Sequence, residues 1–104
     1  MEDSRIVELY WQKNADAIKE TDSKYGAYCF AIADNILHNK EDSEECVNDT
    51  WLNAWNAMPP QKPTKLQMFL AKITRNLSFN RFNARSAEKR GGGEIVLVLD
   101  ELAE

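Results

Sequence analysis

The stretch ITRNLSFNRFNARSAEKR, residues 73 to 90, gathers side chains suited to binding rather than to bond-making chemistry. Arg75, Arg81, Arg85, Lys89 and Arg90 stand against one carboxylate, Glu88, with Phe79, Phe82, Asn76, Asn80 and Asn83 between them. A cation neutralises phosphate, a carboxamide offers a donor and an acceptor together to a base edge, and an aromatic ring is a plate for stacking. On a helical wheel Lys65, Met68, Lys72, Arg75, Asn76, Phe79 and Asn83 fall along one side, opposite Leu70 and Leu77. That set, with Phe79 expected in the open, suits unpaired bases better than a closed duplex, where a plate has nothing to stack on. The competing reading is an ordinary solvated helix face.

Catalytic groups are scarce. His38 is the single histidine and falls near a helix end, where a capping role fits better than catalysis. Glu45 and Asp49 lie one turn apart and could share a proton, but an open face gives their pKa values little reason to separate. The same exposure argues against a metal site. Gly91-Gly92-Gly93 lacks the lysine and strand context of a phosphate loop. Cys29 and Cys46 are too few and too far apart for a disulfide framework or a CxxC site, and read as buried thiols of a reducing, cytoplasmic compartment. No catalytic residue, metal or cofactor is expected.

Charge is laid out in blocks. The chain has a net charge of −4, yet residues 1–57 hold 12 carboxylates and 5 cations, whereas residues 58–93 hold 8 cations and one carboxylate. Two binding surfaces of opposite sign, or helix faces that merely segregate, would both produce this pattern. The 104 residues suffice for one domain with a modest core. No run approaches the roughly 20 apolar residues of a membrane span, and the acidic opening MEDSRIVELY predicts no secretory signal.

Four helices must position these groups. The first is expected from about Ser4 to Glu20, with Ile6, Leu9, Tyr10, Ala17 and Ile18 inward, and the second from about Asp22 to His38, with Asn39 at its exit. Helix three opens at DSEE, where Asp42 and Glu45 form a capping box, and buries Val47, Trp51, Ala54 and Met58 before Pro59 and Pro60 stop it. Thr64 and Gln67 repeat the capping signal ahead of helix four, which turns Leu66, Phe69, Leu70, Ile73 and Leu77 inward and runs to about Ala87. Glu41, Glu45, Asn48, Asp49, Leu52 and Asn56 share the outer side of helix three. A leucine ringed by carboxylates and carboxamides is a candidate for docking on a basic partner helix, against the alternative of a plain solvated face. The fold class is therefore all-α, a compact bundle of about four helices over residues 1–90. Residues 91–104 are a Gly-rich linker and an acidic, flexible tail, within which Ile95–Leu99 is unassigned.

DSEECVNDTWLNAWNAM, a short loop, and FLAKITRNLSFNRFNAR together resemble region 2 of the extracytoplasmic-function class of bacterial RNA polymerase sigma factors. The resemblance covers about residues 4–90 and rests on two segments in the correct order and spacing. It implies a transcription initiation factor that binds core RNA polymerase and stabilises the melted −10 promoter element. Its polymerase contact, on the clamp helices of the largest subunit, falls on Glu45, Asn48, Asp49 and Leu52, with Asn56 on the same face. Asn76 matches the asparagine that holds a flipped non-template base, and the loop from about Pro60 to Lys65, including Lys62, would complete that pocket. Lys65, Lys72, Arg75, Phe79, Asn80, Arg81 and Asn83 lie on the promoter-contacting stretch.

This chain departs from the family in carrying Asn48 then Asp49 where glutamine then glutamate is usual, and Phe69 where tryptophan is frequent. Its PPQKPTK loop has a sequence of its own, so base preference is left open. The resemblance also admits an anti-sigma partner. It implies a second, helix-turn-helix domain for the −35 element, which is expected to be absent from these 104 residues. Two rival readings are a duplex-binding helix-turn-helix regulator and a helical protein-interaction adaptor. The first wants a turn of three or four residues where this chain has a longer, proline-bearing connection.

Overall fold

The structure, a computed structural model, describes residues 1–90, with side chains as far as Arg85. The expected Gly-rich linker and the Ile95–Leu99 run lie outside the described residues. Four helices follow one another: α1 (Asp3–Trp11), α2 (Asp16–Leu37), α3 (Lys40–Ala57) and α4 (Leu66–Arg90). The all-α expectation holds, and α2, α3 and α4 pack on one another with α1 against α2 and the start of α4.

The first boundary differs from the sequence reading. Helix one stops at Trp11, nine residues before the expected end, because Lys13 adopts a left-handed conformation (φ 55°). Its N–H bonds Tyr10 O while Asn14 N–H bonds Leu9 O, both at 3.0 Å, the paired closure of a Schellman motif. The Asn14 carboxamide oxygen then accepts from Asp16 N–H at 2.9 Å, and α2 starts there instead of at Asp22. Gly26 is thus an interior residue of a 22-residue helix. His38 does take the end of α2, in a left-handed conformation (φ 50°) with its N–H on Asp34 O.

Asn39 belongs to the next helix rather than to the exit of α2. Its side chain accepts from Asp42 N–H at 2.9 Å and caps α3, three residues ahead of the expected Asp42 cap. The Asp42 carboxylate is thereby free for other partners. Helix α4 opens one residue later than the Thr64 cap predicted, with Phe69 N–H on Lys65 O.

The core comprises Ile6, Tyr10, Cys29, Trp51, Met58, Leu66 and Leu70, among others, all at most slightly exposed. The buried line of α4 runs Leu66, Leu70, Thr74, Ser78, while Phe69, Ile73 and Leu77 are half-buried shoulders. Hydroxyls can enter this line because each bonds a carbonyl one turn back: Thr74 to Leu70 O and Ser78 to Thr74 O. Thr50 of α3 meets Thr74 at 2.9 Å between their oxygens. Tyr10 donates to Thr21, whose own proton goes to Ala17 O.

Candidate nucleic-acid interface

The solvent side of α4 divides into two parts. Towards its N-terminus Lys65, Met68, Lys72, Arg75 and Asn76 are exposed, Met68 at 64 % despite being apolar, and Asn80 is exposed further along. Phe79 and Asn83 are half-buried rather than open as expected. A phenyl ring gains free energy when part of its face leaves water. The Asn83 Oδ1 is buried and meets no hydrogen-bond partner among the described residues.

Where α4 passes the end of α3 and the connecting loop, a cleft of about 320 Å³ opens, lined by Asn53, Gln61, Phe69, Lys72 and Asn76 among others. Three carboxamides, an ammonium and an aromatic ring thus converge on one concavity. The Asn53 amide donates to Asp49 O at 2.8 Å, which leaves its oxygen as an acceptor. Sequence reasoning missed Asn53 and assigned Phe69 to the core. The ring is half-buried, packed against the core cluster on one side and lining the cleft on the other, while Leu66, Leu70, Thr74 and Ser78 hold the middle of the buried face. The polar pair at the close of α3 and the glutamine inside the proline-bearing loop were the available signals.

The second part of α4 turns back on α3. Arg81 Nη1 lies 3.0 Å from Glu45 and 3.5 Å from Asp42, with Nη2 4.0 Å from Asp49. Arg85 reaches Asp42 at 3.1 Å and donates to Leu37 O at 3.0 Å. Burial works against the Arg81 charge, but Cys46 and the carboxylates of Glu45 and Asp42 hold its pKa above the ordinary range. The positive and negative surfaces expected to be separate therefore meet along this edge, and Arg81 is held there rather than lying open. On α3, Glu45, Asn48, Asp49, Leu52 and Asn56 are all exposed, Leu52 at 56 %. A cleft of about 320 Å³ between α2 and α3, lined by Asp22, Glu44 and Asn48 among others, adjoins this face.

The loop joining the two surfaces is tied down from a distance. Trp11 Nε1 donates to Gln61 O at 2.8 Å, and Lys62 Nζ stands 5.9 Å from the Trp11 ring. Lys13 Nζ bonds Trp55 O and Met58 O and lies 4.7 Å from the centre of the Trp55 ring.

The family model for Sigma-70 region 2 matches residues 23–88, which spans most of α2, all of α3, the loop and nearly all of α4. The chain belongs to the sigma-70 region 2 family. No curated protein and no solved structure matches it. Sigma-70 region 2 is a non-enzymatic module of transcription initiation, working with core RNA polymerase on promoter DNA. Both surfaces of this sigma-70 region 2 domain lie within the matched segment, whereas α1 and its junction with α2 lie outside it. No described helix is long and apolar enough to cross a membrane. Among the described residues no cluster of histidine, cysteine and carboxylate side chains is placed to hold a metal ion.

Proposed function

We propose that this domain, residues 1–90, is the promoter-opening module of a cytoplasmic sigma factor of the extracytoplasmic-function type. It docks on the clamp helices of the largest polymerase subunit through Glu45, Asn48, Asp49, Leu52 and Asn56. It holds an extruded base of the −10 non-template strand in the cleft beside Asn76. The observation that carries this reading is the convergence of Asn53, Gln61, Lys72, Asn76 and the Phe69 ring on one open cleft.

The mechanism needs no covalent step. Extruding a base from the duplex costs a few kcal/mol. Stacking on an aromatic ring returns about 1–3 kcal/mol, and carboxamide contacts to the base edge add discrimination of about 1–3 kcal/mol for a good bidentate pair. Lys62, Lys65, Lys72 and Arg75 supply phosphate contacts that hold the strand whatever its sequence.

The test is reconstitution with core RNA polymerase. Asn76→Ala should abolish transcription from a cognate promoter while core binding persists. Asp49→Lys should do the reverse, losing core binding and keeping affinity for a single-stranded −10 oligonucleotide. A domain that fails to co-purify with core polymerase, or an Asn76→Ala variant that transcribes normally, overturns the reading.

A further inference from the structure

We infer that Trp11 and Lys13, at the junction of α1 and α2, are positioning residues for base selection. They fix where Gln61 stands at the cleft, so an element outside the matched family segment takes part in choosing the extruded base. The inference rests on the reading of the cleft as a base pocket.

Residues 58–65 are pinned at both ends, where Met58 is buried in the core with its N–H on Ala54 O and Lys65 O accepts from Phe69 N–H, but the stretch between has few bonds of its own. Pro59, Pro60 and Pro63 have no N–H to donate, and Gln61 N–H bonds back to Ala57 O. The side-chain anchors act on loop carbonyls and come from 45 to 50 residues earlier in the chain: Lys13 on Met58 O and Trp11 on Gln61 O. Lys13 serves twice, because the last carbonyls of a helix lack partners and carry partial negative charge. The last turn of α3 contains no basic residue of its own, and the Lys13 ammonium lies at that end on Trp55 O and Met58 O. Trp11 stays 41 % exposed, so burial is an incomplete account of its place. Its indole N–H makes a specific tether to the backbone of the cleft residue Gln61.

The tether has a directional consequence. Gln61 is the loop's own member of the cleft, which it lines together with Lys72 and Asn76 of α4. A shift of its backbone changes which base edge its carboxamide can meet, without altering Asn76 or the docking face on α3. Trp11 and Lys13 would therefore affect base preference and leave polymerase binding alone.

The experiment uses the full chain reconstituted with core RNA polymerase. The wild-type holoenzyme first selects its preferred −10 sequence from a randomised pool, and single-base variants of that strand then measure discrimination. Trp11→Phe keeps a ring and removes the donor. It should lower discrimination at one −10 position by about fivefold, the scale of one hydrogen bond, with core binding unchanged. Adding Gln61→Ala to Trp11→Phe should cause no loss beyond that of Gln61→Ala alone, a non-additivity that a general stability effect would not produce. Lys13→Met, which keeps an unbranched apolar side chain and deletes the ammonium, should move the same position, and it carries the test if Trp11→Phe fails to fold. Unchanged discrimination in the folded variants, together with loss in Asn76→Ala, overturns this inference alone. Unchanged discrimination in Asn76→Ala as well overturns the base-pocket reading and this inference with it.

Discussion

Arg81 of α4 lies 3.0 Å from Glu45 of α3, so a cation of the helix proposed to meet the promoter is paired with a carboxylate of the proposed polymerase-docking face. Docking on Glu45 and Asp49 would compete with Arg81 for the same oxygens and release a guanidinium beside the proposed DNA-binding side of α4. In the isolated chain Arg81 should accordingly contribute little to DNA binding.

Asp42→Asn and Glu45→Gln should each raise the affinity of the isolated chain for a single-stranded oligonucleotide, by about two- to fivefold, the scale of a partly exposed ion pair. Only Glu45→Gln should weaken core binding. Adding Arg81→Gln should cancel both gains, which separates release of Arg81 from simple loss of negative charge. Fluorescence anisotropy at low salt measures all of these values.

Arg75 and Asn76 are neighbours with different expected roles. Arg75→Gln should weaken binding to every sequence alike and flatten the salt dependence by about 0.7 in log K against log salt, the value for one single-strand phosphate contact. Asn76→Ala should keep that slope and lose base preference. A salt titration on two oligonucleotides differing at one base distinguishes these outcomes.

The Thr50–Thr74 pair has two protons for three contacts, since each hydroxyl also lies within reach of the carbonyl one turn back. Thr50→Val should destabilise the domain by about 1 kcal/mol by leaving a buried oxygen with one partner fewer. The double variant Thr50→Val, Thr74→Val should cost less than the two single changes together. Urea unfolding of the four proteins gives the coupling.

Asp3 and Tyr25 fasten α1 to α2, with the phenol on both carboxylate oxygens at 2.9 and 2.8 Å and Lys24 at 2.7 Å. Burial and the bond to Asp3 push the Tyr25 pKa from 10.0 up to about 12. Because the folded value is the higher one, this contribution is complete below pH 10 and is lost as pH rises through about 12. Burial pushes the Asp3 carboxyl up, but Lys24 and Tyr25 together bring it below 3.8. Its contribution is therefore present above that pH and is lost in more acidic solution. Tyr25→Phe should remove the alkaline loss and cost about 1 kcal/mol at neutral pH. Chemical unfolding from pH 7 to 12 checks both.

The two helices that carry the surfaces were legible because strong apolar spacing and proline punctuation enclose them. The α1–α2 break was not, since no glycine or proline marks it and Lys13 takes the left-handed position at a cost that its bonds to α3 help to offset. Asn39 was read as an exit when it is a cap, because asparagine serves both ends of a helix and only the Asp42 N–H bond decides. The exposed side of α3, proposed as the docking face, was visible as a polar side interrupted by Leu52. The cleft was half visible: Asn76 and the loop were named, but Phe69 both packs against the core and lines the cleft, a double role that a sequence wheel does not show. Arg81 looked available because pairing across helices leaves no trace in spacing.

Thr74 is fully buried where α4 packs on α2 and α3, with its oxygen against Thr50 of α3. Residues two apart on a helix point about 200° from one another, so a peg at Thr74 also fixes the bearing of Asn76. Rotation of α4 about its own axis would drag that hydroxyl from its socket before it could swing the carboxamide away. The aim of the exposed side chain is thus inherited from a small polar group on the opposite, dry side.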